Sequence, residues 1–262
     1  MIKEVDFYYF SGTGNTEAIV KHAVNILEQH GHQVTLRQIE HGYIPNESVH
    51  ELWLAFPVNS QAVSPFIWKF FNSLPHSHGT IVHAIVTLNN SAYLLEPLHA
   101  LLTDKGYVPA SACEISMPNN MSDQKYDAEQ DRHTLTAAFE KADQFIRNTM
   151  SGEFKWKSQY KGSKFVSFLS RRTSLPWMSM RMMMKLHTDP AKCMGCGLCA
   201  KQCPVGNITM IHQFPQHERH CNFCMKCAAY CPKQAINIAR RENIVFRHAV
   251  MERKMIKPTI PQ

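Results

Sequence analysis

Five apolar runs alternate with amphipathic stretches along the first 150 residues of the chain. Val, Ile, Leu and aromatic residues dominate these runs, which is typical of buried strands. The predicted strands span residues 3–10, 32–39, 51–58, 80–88 and 107–117. The predicted helices span residues 17–30, 64–74, 93–105 and 125–149. Strands that alternate with helices predict an α/β domain with a doubly wound, five-stranded, mostly parallel sheet, ending near residue 150.

The length of 262 residues and an apolar fraction of 44% suffice for one large or two ordinary domains with a proper core. The longest apolar runs fall far short of the roughly 18 uninterrupted residues of a membrane span. The first ten residues, MIKEVDFYYF, lack the basic, apolar and small-residue zones of a signal peptide. We therefore expect a cytoplasmic protein without a transmembrane helix.

Charge divides the chain into an acidic and a basic half. Residues 1–150 carry 9 Lys and Arg against 16 Asp and Glu, whereas residues 151–262 carry 19 against 5. Such asymmetry is typical of a basic surface for an acidic partner, nucleic acid or a membrane, or of two halves that attract each other. Residues 151–187 form a predicted basic, aromatic and Met-rich linker, and residues 188–262 a predicted second domain with a C-terminal tail.

Eight of the nine cysteines lie in two similar runs that are offset by 28 residues. The run CMGCGLCAKQCPVGNI begins at Cys193, and the run CNFCMKCAAYCPKQAI begins at Cys221. Each contains C-x2-C-x2-C-x3-C-P. Because a reducing cytoplasm disfavours disulfides, metal ligation is the better interpretation. A zinc site is the alternative, but it needs only four ligands and explains the repeat less well.

This spacing resembles that of bacterial ferredoxins with two [4Fe–4S] clusters, in which the fourth cysteine of each run binds the other cluster. The resemblance covers residues 188–240 and implies a small α+β two-cluster ferredoxin domain. The first cluster would be bound by Cys193, Cys196, Cys199 and Cys231. The second would be bound by Cys221, Cys224, Cys227 and Cys203. We expect Ile208 and Ile236 to cover the clusters.

The turn between the first predicted strand and helix is rich in glycine and hydroxyl residues. It consists of Ser11, Gly12, Thr13, Gly14, Asn15 and Thr16. Its backbone N–H groups and three hydroxyls can converge on one phosphate at the helix N-terminus. The absence of G-K-[ST] and of G-x-G-x-x-G argues against a P-loop nucleotidase and a dinucleotide site. Plain helix capping is the alternative.

The turn SGTGNT resembles the FMN phosphate loop of flavodoxins, whose sheets bind their ligand at the carboxyl ends of the strands. The resemblance implies that two later strand-end loops flank the isoalloxazine ring. The first of them contains Pro57, Val58, Asn59 and Ser60. The second contains Thr87, Leu88, Asn89 and Asn90, and departs from the pattern because it lacks glycine. Asn119, in the segment MPNN after the fifth strand, is a further candidate, with a plain turn as the alternative.

Taken together, the two halves resemble a family of fused flavodoxin–ferredoxin proteins of anaerobic microbes. The resemblance spans nearly the whole chain and implies an electron-transfer protein with FMN and two [4Fe–4S] clusters. Such a protein would couple two-electron and one-electron redox partners, acidic ones included. The alternative is a flavin-dependent oxidoreductase that reduces a small molecule and is fed through the clusters.

The predicted linker leaves three roles open: packing on its own domains, docking of an acidic redox partner, and peripheral contact with a membrane. Its aromatic residues are Phe154, Trp156, Tyr160, Phe165, Phe168 and Trp177. Nucleic acid is not an expected partner. The ninth cysteine, Cys113, is expected to be a buried core thiol. The sequence indicates no oligomeric state.

Overall fold

The fold is taken from a computed structural model. It describes residues 4–45, 49–58, 62–89, 93–122, 127–173, 175–239 and 245–246. Three predicted site residues, Asn59, Ser60 and Asn90, lie outside the described residues. None of the helices in the described part of the chain has the length and apolarity that a membrane crossing requires.

The N-terminal part contains one five-stranded sheet in which every pair of neighbours is parallel. Its strands are β1 (Glu4–Tyr9), β2 (Gln33–Gln38), β3 (Glu51–Pro57), β4 (Ile81–Leu88) and β5 (Val108–Ser116). Their order is β2-β1-β3-β4-β5. This order is that of flavodoxin-like sheets, in which the chain changes direction beside β1 and leaves a crevice at the strands' carboxyl ends.

Helices cover both faces of this sheet. They are α1 (Asn15–Gln29), α2 (Pro65–Ser73), α3 (Leu95–Asp104) and α4 (Ala128–Met150), and a 3-10 turn, Ile39–His41, follows β2. Successive strand residues enter opposite core layers. Leu54 joins the layer that contains residues of α2 and α3, whereas Trp53 joins the layer of α1 and α4. The predicted doubly wound α/β fold is therefore confirmed.

The segment after α4 adds to the edge of the sheet. Trp156 forms an isolated parallel bridge with Ala112 of β5, and the indole Nε1 donates to the carbonyl oxygen of Leu95 at 3.0 Å. The fully buried carboxylate of Glu114 accepts three hydrogen bonds from this segment, from the Ser158 hydroxyl and from the backbone N–H groups of residues 159 and 160. We call residues 153–160 the strap. Helices α5 (Lys164–Arg172) and α6 (Leu175–Met183) follow it.

The cysteine-rich part consists of short elements that repeat in the same places. Helices α7 (Leu198–Lys201) and α8 (Lys226–Ala229) are offset by 28 residues, as the cysteine runs are. The antiparallel pairs are β7 (Leu186–Thr188) with β10 (Ile236–Ile238), and β8 (Ile208–Ile211) with β9 (Phe214–His217). Two-residue strands β6 (Met121–Ser122) and β11 (Val245–Phe246) also pair. This part has the small α+β architecture that the sequence predicts.

Candidate functional site: a cavity shared by the phosphate turn and the cysteine-rich part

The side chain of Ser11 holds the turn after β1 in one conformation. The backbone N–H of Gly14 donates to the hydroxyl oxygen of Ser11 at 3.1 Å, and Gly14 adopts a left-handed φ of +95°. Helix α1 begins at the next residue, Asn15. The first N–H groups of a helix have no partner within the helix, so the turn presents donors and a partial positive charge where a phosphate would bind.

Neighbouring loops fix the same turn from outside. Asn15 donates from Nδ2 to the carbonyl oxygen of Pro118 at 2.8 Å, and Asn120 donates from Nδ2 to the hydroxyl of Thr13 at 2.8 Å. The segment after β5 thus clamps the turn through two amides. These bonds pre-organise the turn, which lowers the entropic cost of binding a ligand.

A third contact joins the turn to the next strand end. The hydroxyls of Thr16 and Thr87 lie 2.7 Å apart, and both side chains are buried. One of the two hydroxyls therefore donates to the other. Which of the two is the donor can still change when a ligand binds.

A cavity of about 500 Å³ opens over this turn, a size within the usual range for a drug-sized or cofactor ligand. Most of the predicted flavin-site residues line it. They are Ser11, Gly12, Thr13, Asn15, Thr16, Pro57, Val58, Thr87, Leu88, Asn89 and Asn119. Gly14 does not line the cavity, although it shapes the turn.

Further lining residues come from two other parts of the chain. The segment after β5 contributes Met117, Pro118, Asn120 and Met121. Helix α6 and the residue after it contribute Met180 and Met184, and the second cysteine run contributes Phe223, Cys224 and Met225. These last five residues were not predicted from the sequence to line the cavity. For Met180 and Met184 the signal was the methionine-rich composition of the linker, which does not reveal which way the side chains face.

The composition of the cavity fits an anionic, aromatic cofactor. None of the lining residues that the structure describes is acidic, the phosphate turn contributes hydroxyls and the start of α1, and five methionines line other parts of the wall. Flavin mononucleotide has matching chemistry, since it joins a phosphate to a large aromatic ring with one hydrophobic edge. The residues present therefore fit the group that the phosphate turn predicts.

Backbone contact between the two halves of the protein occurs at Gly12. A Cβ atom built on this glycine would lie 2.0 Å from the carbonyl oxygen of Cys224 and 3.0 Å from its carbonyl carbon. Any side chain at this position would overlap the backbone of the cysteine run. Gly12 therefore lets the phosphate turn and a predicted cluster ligand meet without intervening side chains.

A buried ion pair joins the same two halves. Lys226 donates from Nζ to a carboxylate oxygen of Glu40 at 2.6 Å, and both side chains are largely buried. The ammonium of Lys226 also lies 5.6 Å from the ring centre of Phe10. Next to this pair, the hydroxyl of Tyr230 donates to Glu17 at 3.2 Å. Burial, followed by the negative charge of Glu17, raises the pKa of Tyr230, so the phenol stays protonated.

The eight clustered cysteines line two small cavities. The first cavity is lined by Cys193, Cys196, Cys199 and Cys231. The second is lined by Cys203, Cys221, Cys224 and Cys227. No three His, Cys, Asp or Glu side chains of the described residues gather tightly enough to hold a single metal ion.

Backbone N–H groups reach the sulfur atoms at equivalent positions of the two runs. The N–H of Asn207 donates to Sγ of Cys203 at 3.1 Å, and the N–H of Ala235 donates to Sγ of Cys231 at 3.3 Å. Hydrogen bonds of this kind stabilise thiolates and tune the reduction potential of iron–sulfur clusters. The donor set of each cavity, four thiols with N–H donors, fits a cubane cluster.

Burial disfavours the thiolate form of the unligated cysteines in the second cavity. It raises the pKa of Cys224 to about 12, and it raises the pKa of Cys227 and of Cys221 as well. A metal that binds there must displace these protons, so its binding releases protons to solvent. Cys113, in the other half, is also buried, and burial raises the pKa of its thiol to about 11.

Comparison with known families supports the iron–sulfur interpretation. Residues 186–209 match the family model of the 4Fe-4S binding domain. This match supports at least one [4Fe–4S] cluster in the basic half of the chain. No sequence among the curated proteins matches this chain.

Solved structures resemble the N-terminal half. An archaeal flavodoxin is 15% identical, with a TM-score of 0.36, and the match covers 55% of this chain and 99% of that one. A mutant flavodoxin of Fusobacterium nucleatum, bound to flavin mononucleotide, is 17% identical, with a TM-score of 0.40 and coverage of 59% and 99%. Rubredoxin oxygen:oxidoreductase of Desulfovibrio gigas is 15% identical, with a TM-score of 0.37 and coverage of 56% and 36%. These scores are too low to carry a functional argument, so the fold assignment rests on the strand order.

Proposed function

We propose that this chain is an electron-transfer protein that passes electrons between FMN and two [4Fe–4S] clusters, and so couples two-electron to one-electron redox partners. A flavin takes up one or two electrons and each cluster takes up one, so the protein's task is to bind, orient and shield these groups. We place the partners among redox proteins.

The cavity that the two halves share carries this proposal. Phosphate-turn residues and Cys224 line one space of about 500 Å³, and Gly12 brings the two backbones into contact. A flavin bound by the turn would thus share a wall with a cluster ligand. The cluster would therefore be a more direct electron-transfer partner for that flavin than a small molecule would be.

The local geometry supports the proposed flavin-binding roles. The N–H groups at the start of α1 and the hydroxyls of Ser11 and Thr13 would bind the phosphate. The loops at Pro57–Val58 and Thr87–Asn89, with Asn119, would flank the ring. Asn59, Ser60 and Asn90 stay predictions because they lie outside the described residues.

The two cysteine cavities support the proposed cluster-binding roles. Cys193, Cys196, Cys199 and Cys231 would bind the first cluster. Cys203, Cys221, Cys224 and Cys227 would bind the second, which adjoins the flavin cavity. Supporting this division, each set of four lines its own cavity, and each set contains one cysteine from the opposite run.

Metal and flavin analysis tests the proposal directly. Protein expressed and purified without oxygen should contain about eight irons and one FMN per chain. The absorbance spectrum before and after reduction should show both flavin and [4Fe–4S] bands. Zinc in place of iron, or protein that neither retains nor rebinds FMN, would refute the function.

A matched pair of ligand variants tests which cluster adjoins the flavin. Cys199 and Cys227 occupy equivalent positions of the two runs, 28 residues apart. Cys199→Ser and Cys227→Ser should each lose about half of the iron. Only Cys227→Ser should change the visible spectrum of the bound FMN, because its cavity includes Cys224. Equal flavin changes in both variants would contradict the assigned order.

A further inference from the structure

The two cysteine runs have the same left-handed backbone positions but different residues at them. In the first run, glycines have a positive φ: Gly195 (+71°), Gly197 (+70°) and Gly206 (+64°). In the second run, the residues 28 positions later also have a positive φ: Phe223 (+51°), Met225 (+59°) and Gln234 (+47°). Glycine adopts this conformation without steric cost, whereas residues with a Cβ atom are strained in it. The second run therefore contains strain that its own counterpart avoids.

Two of these three strained residues face the flavin cavity. Phe223 and Met225 are 4% and 8% exposed, and both line the cavity on either side of Cys224 in the sequence. Gln234 is exposed and does not line it. Strain that persists where glycine would fit indicates that the side chain has a use.

We propose that Phe223 and Met225 are positioning residues for the flavin. Their side chains close the cavity on the cluster side, hold the ring and exclude water from the space next to Cys224. This inference rests on the proposed FMN site and goes beyond it, because it assigns flavin binding to residues of the cysteine-rich part, which we call the cluster domain. It also explains why only the run that adjoins the flavin carries large apolar residues at these two positions.

Both side chains also belong to the apolar core of the cluster domain, with Trp177, Leu186 and Ile208. The experiment must therefore separate flavin positioning from simple packing. Glycine variants do so, because glycine is the residue that the first run uses at both positions, and it relieves the strain instead of adding to it.

The measurement is an anaerobic titration of cluster-loaded, flavin-free protein with FMN. The quenching of flavin fluorescence reports binding. Phe223→Gly and Met225→Gly should each keep the iron content of the unmodified protein. Each should raise the dissociation constant of FMN about tenfold, which corresponds to about 1.4 kcal/mol. Phe223→Tyr, which keeps the ring, should bind FMN nearly as tightly as the unmodified protein.

Gln234→Gly is the matched control. It relieves the third strained position of the same run, but it lies outside the cavity, so the dissociation constant of FMN should not change. The visible absorption bands of bound FMN give a second readout, since water around the ring broadens them in Phe223→Gly and Met225→Gly but not in Gln234→Gly.

Two results would overturn this inference. Glycine variants that bind FMN within about twofold of the unmodified protein would show that the side chains do not position the flavin. Glycine variants that lose iron would assign the side chains to the core of the cluster domain. If the unmodified, cluster-loaded protein fails to bind FMN, the proposed function itself is wrong, which is a different outcome.

Discussion

Gly12 and Cys224 meet backbone to backbone, although 212 positions separate them in the sequence: a Cβ atom on Gly12 would lie 2.0 Å from the Cys224 carbonyl oxygen. The contact joins the turn predicted to bind a flavin phosphate with a predicted ligand of an iron–sulfur cluster. The arrangement of the two halves therefore requires glycine at position 12.

Gly12→Ala should disturb this contact. Since the added methyl group meets backbone atoms that cannot rotate away, the two halves must separate slightly, at a cost of about 1–3 kcal/mol in the free energy of unfolding. Electron exchange between flavin and cluster, measured by flash photolysis, should slow. Gly31→Ala serves as a control, because a Cβ atom there would meet no non-neighbouring atom within 4 Å, and only the left-handed backbone conformation is penalised. Unchanged stability and exchange in Gly12→Ala would contradict the contact.

The buried ion pair between Glu40 and Lys226 should be costly to break from one side. Glu40→Gln or Lys226→Met leaves one charge buried without its partner, and we expect a loss of about 3–5 kcal/mol in the free energy of unfolding. Denaturant unfolding of the loaded protein measures this loss.

The double variant Glu40→Gln/Lys226→Met supplies the control for this pair. It removes both charges, so it should recover part of the stability that either single variant loses. Strictly additive losses would show that the two side chains do not interact.

The strap should depend on Glu114. Glu114→Ala removes the acceptor of three hydrogen bonds and leaves two backbone N–H groups of the strap without a partner, so we expect a loss of about 2–4 kcal/mol. Proteolysis between residues 150 and 163 should become faster. Ser158→Ala removes one donor and keeps the carboxylate, and its loss should be about 1 kcal/mol. A strap that stays protected in Glu114→Ala would refute this role.

Cys113 should react slowly and only at high pH. Burial raises the pKa of its thiol from 9.0 to about 11, and only the thiolate is nucleophilic. At pH 8 the folded, cluster-loaded protein should be alkylated at Cys113 about 100-fold more slowly than the unfolded chain, and the rate should rise until about pH 11. Mass spectrometry of the peptide that contains Cys113 measures this rate.

The same rise in the pKa of Cys113 determines in which direction the stability of the folded protein changes with pH. Because the folded pKa of Cys113 lies above the unfolded one, its contribution is complete below pH 9 and is lost as pH rises towards about 11. The positive charge of Lys141 lowers the pKa of Cys113, so Lys141→Met should slow alkylation further. Faster alkylation in Lys141→Met would contradict this assignment.

Periodicity was sufficient to predict the N-terminal half. The predicted strands and helices agree with β1–β5 and α1–α4 to within a few residues, because the central strands β3 and β4 are buried on both faces and each helix presents apolar residues to the sheet. The phosphate turn was found for a related reason, since the residues that shape it are neighbours in the sequence.

The region between the two halves could not be predicted in the same way. In α5, Ser167 is buried, whereas Phe165 is 70% exposed, so the apolar pattern does not show which side of the helix faces inward. The cavity wall formed by Met180, Met184 and the second cysteine run depends on contacts between distant parts of the chain. Such contacts leave no local pattern. For Phe223 and Met225 the repeat itself contained a hint, because these residues replace glycines of the first run.

The buried carboxylate of Glu114 also bears on how this protein can be divided. Its hydrogen-bond donors belong to residues 158–160, which follow α4. A fragment ending near residue 150 would retain that carboxylate in the sheet and lose every one of these donors. We therefore expect a shortened N-terminal half to be less stable unless it keeps the strap or carries an apolar replacement for Glu114.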